Sequence, residues 1–194
     1  MNQFITQRNP VVGHFTQVEI GAPLYLNVRG KDLLLFKNAE SGKIIYRDKI
    51  NTITGIKHPG IILGEDAYNK VWVIHNHYKI GHAEIVTLEE FSMGTKWFFD
   101  DRPVSYSKDE IVTRAIESWK KKEKYNWLTN NCQKFVNRVA RNKNYSEAMS
   151  KVSSAAMITG ALITVGGLIA GNKTALKAGL SILGIGAAGS FLNK

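Results

Sequence analysis

Apolar residues come in short bursts through most of this chain and in two unbroken runs near its end. Between residues 18 and 28 they partly alternate, with Gly21 and Pro23 interrupting, which predicts one strand with an irregular start. Residues 33–36 and 43–46 are two further short runs around the polar stretch 38–42, the pattern of a hairpin. Residues 58–64 and 71–75 flank another polar turn and predict a second hairpin. If its loop is the four residues 65–68, Gly64 faces Asn69, Ile62 faces Val71 and His58 faces His75. Directly opposed residues share a face of the sheet, and a slip of one residue would separate them. His77 lies two positions beyond His75 and so joins the same face. Residues 83–88 predict another short strand. Residues 47–57 read as a loop and 89–102 as a linking region in which Trp97, Phe98 and Phe99 plug the core. Residues 1–17 form an irregular arm carrying a solvated His14.

Helical spacing begins after Ser107. Ser107 and Glu110 have the spacing of a capping box, and Ile111, Val112, Ala115, Ile116 and Trp119 fall on one face of the helix that follows. The basic stretch 120–124 closes it, where cations suit the dipole and a solvated helix end is the simple reading. Asn130 and Asn131 are good N-caps, and Phe135, Val136, Val139 and Ala140 then recur at helical spacing to about Asn144. Beyond Lys151 the composition changes. Residues 153–171 and 178–193 carry no charge and are dominated by Ala, Gly, Ile and Leu, with a polar break at 172–177. Neither run has a polar face for water, the first has the length of a minimal membrane span, and Gly167-x-x-x-Gly171 permits close helix contact in lipid. The alternative is a soluble helical hairpin packed on the domain. The division expected is an arm over 1–17, a domain over 18–150 and a membrane-associating tail over 151–194. The fold class expected is α+β, a small antiparallel β-sheet packed against helices with an apolar C-terminal helical hairpin.

The net charge of +10 over 194 residues favours anionic partners such as phospholipid headgroups. No aromatic-rich nucleic-acid signature accompanies it, so nucleic acid is not an expected partner. A single cysteine excludes an internal disulfide. The first ten residues lack the apolar core of a secretory signal, which points to the cytoplasmic side of a membrane.

That cysteine, Cys132, falls in the first turn of the predicted helix behind Asn131. Unpaired N–H groups and the positive dipole end sit there, and a thiol at such a place drops from about 8.5 toward neutrality. A buried, inert thiol is the simple alternative. Two upstream histidines at one end of a hairpin tip the balance toward chemistry.

The motifs resemble those of the lecithin–retinol acyltransferase-like family, permuted NlpC-type and papain-like thiol enzymes in which His precedes Cys. The residues that carry the resemblance are His58-Pro59-Gly60-Ile61-Ile62-Leu63-Gly64, then Val73-Ile74-His75, then Asn131-Cys132-Gln133-Lys134-Phe135-Val136. It spans roughly residues 18–145, and many members carry an apolar C-terminal anchor. Pro59 stands where the family has an aromatic, and Gln133-Lys134 where it has Glu-His. The resemblance implies Cys132 as nucleophile, His58 as general base and acid, and His75 as the orienting third residue. Backbone N–H groups at the start of the cysteine helix would stabilise the oxyanion. Gly60, Tyr46, Asn131 and Gln133 are weaker candidates for contact with substrate. The substrate implied is a glycerophospholipid ester, its acyl group passing through a thioester to water or another acceptor, with no cofactor and no metal. Three other readings stay open: a zinc site from His75, His77 and His82; a thiol peptidase or amidase; and a non-catalytic membrane-inserting or permeabilising protein.

Overall fold

The computed structural model describes residues 23–48 and 57–192. The arm 1–17 with His14, the irregular start of the first strand and residues 49–56 of the expected loop lie outside the described residues. The architecture is α+β. Strands β1 (Leu24–Val28) and β2 (Lys31–Leu35) form a two-stranded antiparallel sheet. Their turn is Arg29-Gly30, with φ of 52° and 77°. Two positive φ values give the turn a twist that matches the strands it joins. A second, antiparallel sheet holds β3 (Ile44–Arg47), β4 (His58–Glu65), β5 (Val71–His77), β6 (His82–Thr87) and β7 (Trp97–Phe99), in the order β6-β5-β4-β3-β7.

Three expectations change here. The runs at 33–36 and 43–46 are not a hairpin, since β2 pairs with β1 whereas β3 pairs with β4 and β7. The turn between them explains it. Asn38 Oδ1 accepts from Glu40 N (2.9 Å) and Ser41 N (3.1 Å), and Gly42 N donates to Ile62 O (2.8 Å), which carries the chain across to β4. Trp97, Phe98 and Phe99 are a strand as well as a plug, at the edge of the larger sheet. The β4–β5 register also differs. Ile61 pairs with Ile74 and Ile62 with Val73, and a bulge between Ile62 and Gly64 absorbs the shift. The tight turn is 66–70, where Asp66 Oδ1 accepts from Tyr68 N (2.9 Å) and Lys70 N (3.0 Å). His75 is therefore level with Gly60, and His58 is its diagonal neighbour. The displacement is two residues, so both imidazoles keep one face.

Five helices complete the described fold. Helix α1 (Leu88–Ser92) is capped by Thr87 and α2 (Lys108–Lys120) by Ser107, each with a full capping box. Helix α3 (Cys132–Arg141) has Asn131 as N-cap and ends at Asn142, in the left-handed conformation at φ 53°. Ile61, Leu63, Ile74 and Ile85 on one side of the larger sheet pack with Ile111, Ala115, Phe135 and Val136 of α2 and α3. On the other side Ile45, Ile62, Val73 and Val86 pack with Phe91 of α1 and with Trp97.

Helices α4 (Glu147–Ile169) and α5 (Lys173–Phe191) form the apolar hairpin. Both are long and apolar enough to cross a membrane. At 1.5 Å per residue they extend about 35 Å and about 28 Å, against a hydrocarbon core of about 30 Å. Their seam is not Gly167-x-x-x-Gly171, because Gly171 lies in the turn (φ 61°) with open space where a Cβ would be. It is Gly160, Gly167, Gly179, Gly186 and Gly189, all buried. A Cβ on Gly160 would come within 2.5 Å of Leu183 N, and one on Gly167 within 2.6 Å of Leu176 N.

Both ends of the hairpin return to the first turn of α3. Gln133 Oε1 accepts from Ser146 Oγ (2.9 Å) and from Ala148 N (2.8 Å), and Asn131 Nδ2 donates to Ser146 Oγ (3.1 Å). Lys134, fully buried, donates through Nζ to the Leu192 carbonyl at the end of α5. A cation at a helix C-terminus satisfies carbonyls that have no intrahelical donor.

Candidate functional site

His58 is the first residue of β4 and His75 the fifth of β5. Diagonal placement on one face brings His58 Nε2 within 2.8 Å of His75 Nδ1, with the rings nearly perpendicular (86°) and 5.0 Å apart. Each residue is 4% exposed. Phe91 covers both rings, at 5.8 Å from His58 and 5.4 Å from His75. Gly60 admits that phenyl ring. A Cβ there would lie 2.6 Å from Val73 Cγ1 and 2.8 Å from Phe91 Cε2. The space beside Gly60, weighed as a substrate contact, is thus filled by Phe91. Burial, then the electrostatic influence of His77, Arg47 and Arg29, pushes His75 down to about 3, so it stays neutral near pH 7.

Cys132 opens α3 directly behind its cap and is 6% exposed. α3 packs on β4 and β5, and Asn76 Nδ2 of β5 holds the segment before the cysteine through Asn130 O (2.8 Å). Arg47 has electrostatic links to both the thiol and the histidine pair. It is the cross-strand partner of His58, it is buried, and its guanidinium lies 5.6 Å from the Phe91 ring. Among the described residues its Nε has no hydrogen-bond partner. Burial pushes the guanidinium below its usual range, while the electrostatic interaction with Cys132 acts to raise it. Arg47 in turn acts on His75. Arg47 thus acts electrostatically on both Cys132 and His75 and is the cross-strand partner of His58. A thiol beside a guanidinium gains thiolate character, and the same cation can stabilise an oxyanion. Sequence reasoning missed Arg47 because a single basic residue at a strand end carries no pattern.

The backbone groups expected to form the oxyanion hole are partly engaged. Gln133 N and Lys134 N each donate to Asn131 Oδ1 at 3.0 Å. Asn131 and Gln133 serve as cap and as tether for α4, as described above. Tyr46 turns to the opposite face of β3 from Arg47, stacks on Phe98 at 5.9 Å and receives a hydrogen bond from Arg102. Burial foremost pushes its phenol up to about 12. Tyr46 and Gln133 do converge, in a cleft of about 370 Å³ at the base of α4 that Lys57, Phe98, Glu147 and Lys151 also line. Among the described residues no group of three or more His, Cys, Asp or Glu is arranged to hold a metal ion. His82, weighed as a zinc ligand with His75 and His77, directs Nδ1 to its neighbour's carbonyl, Ala83 O, at 2.7 Å.

No family model matches the chain, and no curated protein matches it either.

Proposed function

We propose that the protein is a membrane-associated thiol acyl hydrolase or acyltransferase acting on glycerophospholipid esters from the cytoplasmic side. The observation that carries this reading is the buried His58–His75 pair, bonded at 2.8 Å, with Arg47, the cross-strand partner of His58, linked electrostatically to the helix-terminal Cys132. In the proposed reaction His58 takes the Cys132 proton and the thiolate attacks the ester carbonyl carbon. Arg47 faces the developing oxyanion. The C–O bond then breaks, the leaving alcohol takes the proton from His58, and an acyl thioester remains on Cys132. Water or another acceptor attacks the thioester, releases the acyl group and restores the thiol. The resemblance of the three motifs supports the family of chemistry. The apolar hairpin, and the cleft lined by Lys57 and Lys151 where it joins the domain, support a lipid substrate.

Intact mass spectrometry of the protein after exposure to phospholipid vesicles tests the proposal. The expected result is an acyl adduct on Cys132, absent from Cys132→Ala and from His58→Ala. Vesicle turnover without any cysteine adduct would refute the thioester route.

A second reading is favoured by one observation: the thiol and both imidazoles are almost wholly buried while large apolar side chains of the tail are exposed. On that reading the protein inserts into and permeabilises membranes without catalysis. Vesicle leakage that survives Cys132→Ala and vanishes when residues 153–194 are deleted would select it.

A further inference from the structure

Glu84 stands behind the histidine pair. On β6 it is the direct cross-strand partner of His75, and its side chain is only 12% exposed. Oε1 lies 3.4 Å from His75 Nε2 and 2.9 Å from His77 Nδ1. Oε2 lies 3.3 Å from an Arg29 guanidinium nitrogen. The groups around the carboxylate are thus two imidazoles from β5 and a guanidinium from the β1–β2 turn. Glu90 on α1 also pairs with that guanidinium at 3.2 Å, and Arg47 on β3 acts electrostatically on His75.

A carboxylate only accepts hydrogen bonds. His75 stays neutral, as shown above, so its ring carries one proton. With that proton on Nε2, the positive end of an N–H rather than a lone pair lies 3.4 Å from the Glu84 carboxylate, and Nδ1 keeps its lone pair. The 2.8 Å contact between the rings then has one sense: His58 Nε2–H donates and His75 Nδ1 accepts. Neutral His58 is left with Nδ1 as its proton-accepting nitrogen. The opposite assignment would aim a His75 lone pair at the carboxylate and force both protons of the pair to the other nitrogens.

We infer that Glu84 is a positioning residue that sets the tautomers of both histidines, so that His58 Nδ1 is the base of the site. The inference rests on the reading of Cys132 and His58 as nucleophile and base. Glu84 acts only through His75 and touches no reacting atom. Second-sphere carboxylates act on imidazoles elsewhere in the same way, by deciding which ring nitrogen is protonated.

The test uses the full chain in detergent micelles with ¹⁵N-labelled histidine. Long-range ¹H–¹⁵N correlation spectra report which ring nitrogen carries the proton. The expected result for the unmodified protein is His75 protonated at Nε2, and a His75 protonated at Nδ1 overturns the inference without any variant. Alkylation of Cys132 by iodoacetamide is then followed against pH. Glu84→Gln is expected to slow it near neutral pH by roughly tenfold and to displace the profile, as loss of a correctly oriented base does. Arg29→Met, which leaves the His75 contact in place, is expected to keep the rate within about twofold, the surface pair being worth little. Equal rates in Glu84→Gln and the unmodified protein overturn the inference. His58→Ala separates the two levels. No effect of His58→Ala removes the thiol–imidazole reading itself, whereas an effect there with none in Glu84→Gln removes only the role of Glu84.

Discussion

The sheet domain and the α4–α5 hairpin are packed in opposite senses. In the domain the large side chains are inside: Leu35, Ile45, Ile61, Phe91 and Phe135 are essentially inaccessible. In the hairpin the inside is glycine. Gly160, Gly167, Gly179, Gly186 and Gly189 are buried between the helices, while Ile158, Leu162, Leu168, Ile169, Ile185 and Phe191 face outward. A large exposed apolar surface is rare on a soluble monomer. Hydrocarbon removes that cost, and it also removes the drive to hide leucine. What then holds two helices together is close approach of their backbones, which small residues allow. The reversal is the packing that lipid would favour, in keeping with two helices long and apolar enough to cross a membrane.

The comparison can be broken at several points. Gly160→Leu has the largest expected effect, because its side chain would meet the α5 backbone at Leu183. Overpacking of this kind costs about 1–3 kcal/mol or more where backbone must move. The expected outcome is a hairpin that splays, read as loss of a disulfide cross-link between cysteines placed on α4 and α5, with the Cys132 alkylation rate kept. A change in that rate of similar size would mean that the Gln133 and Lys134 tethers pass the disruption of the seam to the cysteine.

A smaller effect belongs to the domain alone. Glu65 is buried at the end of β4 and its Oε2 has no partner among the described residues. Burial, then the charge of Asp66, pushes its carboxyl from 4.5 up to about 7. A folded-state value above the unfolded one stabilises the fold fully below pH 4.5 and loses that contribution as pH rises through 7. Glu65→Gln is expected to remove this slope and to raise stability at pH 8 by on the order of 1–3 kcal/mol. Urea unfolding at pH 5 and pH 8 reads it, and parallel pH dependences in the two proteins would contradict it.

Gln133→Leu has the smallest expected effect and addresses the joint. It leaves Ser146 Oγ and Ala148 N without their acceptor on α3. The expected cost is about 0.5–1.5 kcal/mol, the net worth of a hydrogen bond. Hydrogen exchange is expected to quicken at 146–150 and stay unchanged through β4 and β5.

Elements with a chemical punctuation mark were legible from the residues. Ser107 and Glu110 announced α2, Asn131 announced α3, and the uncharged runs announced the hairpin. The histidine pair was legible through the period of two along β4 and β5, which survives a register error of two residues. What failed was non-local. The partner of residues 33–36 depended on whether the chain turned back at Arg29-Gly30 or at 38–42, and the bonds Gly42 N to Ile62 O and Ile62 N to Lys43 O begin its pairing with β4. The strand at Trp97–Phe99 was hidden in an aromatic cluster because three residues are too few to display alternation.

Residues near one another in sequence thus determined the helix starts, the apolar tail and the candidacy of Cys132, His58 and His75. Tertiary structure alone decided that Arg47 lies opposite His58 and Glu84 opposite His75, that Asn131 is occupied as a cap, and that Gln133 and Lys134 grip the tail. The physical reason is that capping, periodicity and membrane span length are local properties of a segment. The surroundings of a buried charge are set by strands and helices distant in sequence, and no spacing along the chain records which of them will meet.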